Sequence, residues 1–135
     1  MEKLLTREQF KKLVFARSKG LCVFCDLPAV DPHHIMERKL FDNGGYYLNN
    51  GAAVCEQHHW DCESTALSLY EVRKAAGITM SVFPDTFDPR KNYDKWGNTI
   101  RPDGLLVAGP LFTDLGVKKA LAIAGKLRLF VPSGT

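Results

Sequence analysis

No stretch of this sequence approaches the roughly 18 consecutive apolar residues that a helix needs to cross a bilayer, so a helical membrane span is excluded. The opening Met-Glu-Lys-Leu-Leu-Thr-Arg-Glu-Gln has neither an apolar signal core nor a small-residue cleavage site, and the expectation is an intracellular, cytoplasmic protein. Internal repeats and low-complexity tracts are absent, which argues against a solenoid or a disordered linker protein. Cysteine and histidine are missing from residues 1–21 and again from 63–135. All four cysteines and all four histidines therefore crowd into residues 22–62. In a secreted chain four cysteines would suggest two disulfides; interleaved with histidine in a chain expected to be intracellular, they point to metal instead.

What remains is ordinary globular material. The 135 residues (15.1 kDa) are 45% apolar and 24% charged, enough for one domain with one real core. The formal net charge of +3 is unevenly spread. Residues 1–20 carry a net +4, residues 21–80 a net −4, and residues 81–135 a net +3. An acidic centre rich in metal-ligand residue types thus lies between basic flanks suited to a polyanion.

Local signals place the elements. Thr6 with Gln9 forms a capping box, Phe10, Leu13, Val14 and Arg17 follow at helical spacing, and Gly20 is a stop, predicting a helix over 7–19. A knuckle over 21–26 carries Cys22 and Cys25. Strands are predicted over 30–39 and 52–55, separated by a loop over 41–50 whose Asp42-Asn43-Gly44-Gly45 can sustain neither helix nor strand. Helices are expected from 58 to about 65, from Ser68 (paired with Glu71) to Gly77, and over 115–126, with a loop or hairpin over 85–104. The last four residues, 132–135, are expected to fray.

Two elements carry the chemistry. Cys22-x-x-Cys25 and Cys55-x-x-His58 each place two soft or borderline ligands one turn apart, and two such pairs can close a tetrahedral structural Zn²⁺ site. Cys62 competes for the fourth position, but the spacing of His58 from Cys55 mirrors the first pair. His33, His34 and His59 are then left over, and because successive strand residues point to opposite sides, His33 and His34 cannot share one ligand role.

The run Cys22-x-x-Cys25, Asp31-Pro32-His33-His34-Ile35, Gly44-Gly45, Asn50 and Cys55-x-x-His58-His59 resembles the HNH endonuclease (ββα-metal) family with its accessory zinc. The resemblance covers about residues 20–66. It implies an α+β fold: a small ββα-metal core with a two-stranded hairpin, a zinc knuckle and flanking helices. Residues 1–19 would be an N-terminal helix and 78–135 a C-terminal extension of unassigned role, all within a single domain over 1–135. It further implies His34 as general base, Asn50 as the residue bracing the loop, and His33 and His59 as ligands of a catalytic divalent ion. The family's usual fourth zinc ligand is Cys where this chain has His58, which leaves His58 and His59 as alternatives between the two metals.

The implied activity is hydrolysis of DNA phosphodiester bonds, with duplex DNA as the first expectation, in a bacterial or phage-infected cell. An imidazole suits the deprotonation of water, and two imidazoles favour Mn²⁺, Ni²⁺, Co²⁺ or Zn²⁺ over Mg²⁺. Arg38 and Lys39 are candidate phosphate contacts, as are Lys118 and Lys119, against the blander reading of a solvated surface. Glu63 is a candidate helper from the helix, and Tyr46 and Tyr47 are expected to pack under the loop rather than stack on a base. Tyr93-Asp94-Lys95-Trp96 receives no role. The alternative to an enzyme is a non-catalytic, zinc-stapled nucleic-acid-binding module, which would have no need of His33, His34, Asn50 and His59 together. A Cys-x-x-Cys redox protein is disfavoured for want of a thioredoxin-like βαβ pattern.

Overall fold

The structure, a computed structural model, describes residues 2–132; the fraying expected at the C-terminus falls, for 133–135, outside them. Among the described residues it is a small α+β domain of four α-helices and two small antiparallel sheets. No helix among them is long and apolar enough to cross a membrane.

Helix α1 (Arg7–Arg17) starts at the Thr6 capping box, where Thr6 and Gln9 satisfy each other's backbone N–H. It ends two residues earlier than the sequence predicts, because Lys19 and Gly20 both take left-handed φ values of 57° and 77°. The knuckle that follows is closed by a bridge between Leu21 and Pro28. Strand β1 (Asp31–His34) pairs antiparallel with β2 (Gly51–Val54), setting His33 opposite Ala52 and His34 opposite Gly51. The predicted strand over 30–39 is thus cut at His34. Buried Asn50 captures the next backbone groups, accepting from Met36 N–H at 3.0 Å and donating to the Met36 and Gly45 carbonyls at 3.1 and 3.2 Å. A 3-10 turn over Arg38–Leu40 follows, its first N–H capped by Glu37.

Strand β2 is buried along its whole length. Its alternation sends Ala52 and Val54 into the main core with Ile35, Met36 and Cys62, and Ala53 against Phe10 and Val14 of α1. Gly51 is the point of closest approach: a Cβ there would meet Val14 Cγ2 at 2.5 Å and the Phe10 ring at 2.7 Å. Only glycine lets α1 lie this near the hairpin. Arg17 fastens the same contact by donating to the Leu48 and Gly51 carbonyls.

Helix α2 (Glu56–Glu63) begins at Cys55 rather than at His58, since Cys55 itself is the N-cap. Helix α3 (Leu69–Ala75) carries the Ser68–Glu71 capping box and stops before Gly77 at φ 74°. The expected loop or hairpin beyond proves to be a three-stranded meander, β3 (Asn92–Tyr93), β4 (Thr99–Ile100) and β5 (Leu106–Val107). Helix α4 (Leu115–Ile123) packs Val117 and Leu121 on Trp96.

Candidate functional site

The knuckle, the hairpin and α2 assemble two groups of ligand-type side chains. In the first, the knuckle supplies Cys22 and Cys25 while the N-terminus of α2 supplies Cys55 and His58; the four donor atoms gather tightly enough to hold a metal ion. Cys25 Sγ lies 3.7 Å from Cys55 Sγ, and His58 Nδ1 lies 3.6 Å from Cys22 Sγ and 3.3 Å from Cys55 Sγ. The backbone N–H groups of Phe24 and His58 point at the Cys22 and Cys55 sulfurs. Burial would raise the Cys22 thiol, but the backbone donors outweigh it and bring it down to about 7. Cys62 is not part of this group. It is buried in the core, and that burial pushes its thiol up to about 12.

The second group opens on a cleft of about 550 Å³ along β1. Asp31 and His33, two apart on β1, share one strand face and meet His59 of α2. Asp31 Oδ2 is 3.4 Å from His59 Nε2 and 3.8 Å from His33 Nδ1. His59 therefore stands with Asp31 and His33, and His58 with the cysteines. One helical turn on, Glu63 Oε1 lies 3.2 Å from His59 Nε2. That hydrogen bond, against opposing burial, raises the His59 pKa. Burial would push Glu63 up, but His59 and Lys95 pull its carboxyl below the usual value, whereas at Asp31 burial wins and the carboxyl rises.

His34 points to the opposite strand face, where its ring stacks on Phe10 (4.7 Å, 22°) and meets Tyr46 edge-on at 5.0 Å. Tyr46 packs on Phe10 and His34 and also lines the cleft. The His34 Nε2 atom is buried without a hydrogen-bond partner, while the nearby Gly44 backbone works in the direction of raising the ring's pKa. Burial, reinforced by the Lys95, Arg38 and Arg7 charges, lowers its pKa to about 4, so the imidazole is neutral at pH 7. Asn50 holds the loop that carries Gly44 and Gly45 through the bonds given above.

Two participants were not legible as such in the sequence. Asp31 had a signal, its two-residue offset from His33 on a strand. Lys95 had none. It comes from the turn between β3 and β4, where Asp94 accepts from the backbone N–H of Trp96 and Asn98 and from the Asn98 side chain. The turn delivers Lys95 Nζ to the His34 carbonyl at 2.7 Å and to within 3.7 Å of Glu63 Oε2, and Trp96 Nε1 to the Glu63 carbonyl at 2.9 Å. The cleft is completed by three exposed cations, Arg7 and Lys11 of α1 and Arg38. Of the other basic candidates, Lys39 pairs with Asp114 at 3.1 Å, Lys118 lies over the Phe112 ring, and neither these two nor Lys119 lines the cleft.

Comparison with family models, curated proteins and solved structures finds no match. The functional reading rests on the geometry of the two groups.

Proposed function

We propose that this chain is a metal-dependent endonuclease of the HNH, ββα-metal type that hydrolyses phosphodiester bonds of DNA, with a structural zinc behind the cleft. The observation that carries the reading is His34: a neutral imidazole fixed by aromatic rings in the lining of the cleft that also holds Asp31, His33 and His59, with its buried Nε2 left without a hydrogen-bond partner. A core histidine kept for packing alone would have no reason to leave a buried nitrogen unpaired.

The donor sets fit the two metals. A tetrahedral ion with Zn–S near 2.3 Å and Zn–N near 2.0–2.1 Å sets edges of about 3.8 Å between sulfurs and about 3.6 Å between sulfur and nitrogen. The Cys22, Cys25, Cys55 and His58 spacings of 3.3–3.7 Å lie close to these edges. Asp31, His33 and His59 offer one oxygen and two nitrogens, a set for Mn²⁺, Co²⁺, Ni²⁺, Zn²⁺ or Mg²⁺ in which the carboxylate makes Mg²⁺ a better fit than two histidines alone. A divalent ion held there supplies charge neutralisation for the scissile phosphate and the departing 3′-oxygen.

The protein's own residues do the rest. The His34 imidazole accepts the proton of the water that attacks phosphorus, its Nε2 reached by a small turn of the ring toward the cleft, the new O–P bond forming as the P–O3′ bond breaks. The rings of Phe10 and Tyr46 hold the imidazole in place. Arg7, Lys11 and Arg38 rim the cleft with positive charge for the flanking phosphates.

The test is incubation with supercoiled plasmid in each of the five metals. Cleavage is expected, and His34→Ala should lower its rate about 10²–10⁴-fold while zinc content and DNA binding persist. Binding without cleavage in every metal would leave the non-catalytic binding module as the answer.

A further inference from the structure

A second depression, sharing no residue with the cleft, lies between α3, the segment 78–83 and the meander. Arg73, Lys74 and Lys91 are among the residues lining it, and no Asp or Glu is. None of the three cations forms an ion pair among the described residues, whereas Lys39, Arg90, Lys95 and Arg101 each have a carboxylate. Arg73 is the unusual member. Its guanidinium lies against the Phe83 ring at 5.2 Å, and its Nε and Nη2 are shut off from solvent without a hydrogen-bond partner. Burial alone pushes its pKa down, with no carboxylate acting the other way. A position in the last turn of α3 accounts for a positive charge there through the helix dipole. It does not account for burying that charge with two donors idle, which costs stability unless an acceptor completes the site.

Aromatic surface lies beside these charges. Tyr70, Arg73 and Lys74 are spaced i, i+3 and i+4 and so share one face of α3. Tyr70 is 70% exposed, with Lys74 Nζ 5.9 Å from its ring centroid, and Tyr93 lines the floor. Cations flanking an exposed ring, with Asp88 near Lys91 but no acid among the lining residues, match the chemistry of an unpaired nucleotide: phosphate on the charges, base on the ring.

We infer that this depression, built by Arg73, Lys74, Lys91 and Tyr70, binds a phosphate-bearing unpaired strand of nucleic acid at a distance from the cleft. The inference uses the nuclease reading only for the purpose of such a contact; the binding stands on the depression alone.

The experiment measures fluorescence anisotropy of a labelled single-stranded oligothymidylate 12-mer with the full chain carrying its metals. His34→Ala serves as the parent so that no cleavage intervenes. Lys74→Glu with Lys91→Glu, both exposed and free to vary without unfolding the protein, should weaken binding about 10-fold and reduce the salt slope by about two. Tyr70→Ala should cost about 5-fold or more. Circular dichroism separates a folding defect in Arg73→Gln from loss of the contact, and the lysine pair decides the matter if that variant unfolds. Inorganic phosphate and thymidine monophosphate serve as competitors. Displacement of the 12-mer only at millimolar concentrations of either supports a strand site. Parent-like binding by the lysine pair overturns the proposal, and so does tight uptake of thymidine monophosphate at α3 that leaves the 12-mer bound. Absence of plasmid cleavage by the chain with His34 intact, with these binding results unchanged, would fault the nuclease reading instead.

Discussion

Replacing Lys95 by methionine keeps the length of the side chain and removes its charge, and the structure lets the consequence be worked out. The Lys95 side chain is 5% exposed and its Nζ stands 3.7 Å from Glu63 Oε2, which is itself buried without a hydrogen-bond partner. At an effective dielectric of 20, opposite charges at that distance attract by about 4.5 kcal/mol. Glu63 is 23% exposed, so water takes over part of that role once the lysine is gone. The hydrogen bond to the His34 carbonyl, charge-assisted at 2.7 Å, is worth about 1.5–3 kcal/mol and leaves an acceptor unpaired when lost. Against both stands the desolvation cost that the parent already bears for burying an ammonium. The net expectation is a loss of about 2–3 kcal/mol, which for a domain of this size lowers Tm by about 6–12 °C.

Function should suffer beyond stability. Lys95 is one of the groups holding the Glu63 carboxyl low, and Glu63 in turn holds His59. Partners of this kind behind a ligand histidine typically contribute 10–100-fold in metal affinity or activity. Lys95→Met should therefore weaken Mn²⁺ binding, read by calorimetry on the zinc-loaded protein, by about 10-fold or more. Lys95→Arg should not rescue it, because a planar guanidinium does not fit a 5%-exposed ammonium site. Unchanged Tm together with unchanged Mn²⁺ affinity would refute the reasoning, since the lysine would then be a bystander to both the fold and the cleft.

Other outcomes follow from single residues. If the proposed zinc is held by this cluster, Cys25→Ser should lose it and unfold the segment around residues 20–66, read by metal analysis and circular dichroism; a well-folded variant would mean the cluster is no staple. Asn50→Ala strands the Met36 N–H and carbonyl, while the Gly45 carbonyl keeps the Tyr47 N–H, and should cost about 2–4 kcal/mol in urea unfolding. Asp31→Asn should shift the metal preference in cleavage from Mg²⁺ towards Ni²⁺ and Co²⁺, because a hard anionic oxygen leaves the ligand set.

The parts of the fold that could be read from the sequence are those decided within a few residues. Both capping boxes, the stops near Gly20 and Gly77, and the two paired-ligand spacings are of this kind, and each is where its local chemistry puts it. Strand β1 was read too long because its end is not local. Nothing between residues 35 and 39 marks a break; Asn50, fourteen residues beyond Met36, imposes it. The start of α2 was read late for a related reason, since a cysteine is not an ordinary N-cap and serves here because its sulfur is already held in the cluster.

Charge shows the same division more sharply. Counting by segment marks the two flanks as basic and treats their lysines as equivalent, yet position separates them. Lys39 is matched by Asp114, and Lys118 lies on Phe112. Arg7, Lys11 and Arg38 come to the cleft instead because α1 is pressed onto the hairpin at Gly51 and the chain turns sharply after Met36. Lys95 reaches the cleft by the longest route, through an Asp94–Asn98 turn that buries an acid to shape five residues. The segment beyond residue 78, featureless as a motif, is thus the wall that carries a cation to both His34 and Glu63. A core of residues 20–66 alone would keep every member of both ligand-type groups and still lack this wall. The C-terminal part of the chain therefore belongs to the site rather than to its surroundings.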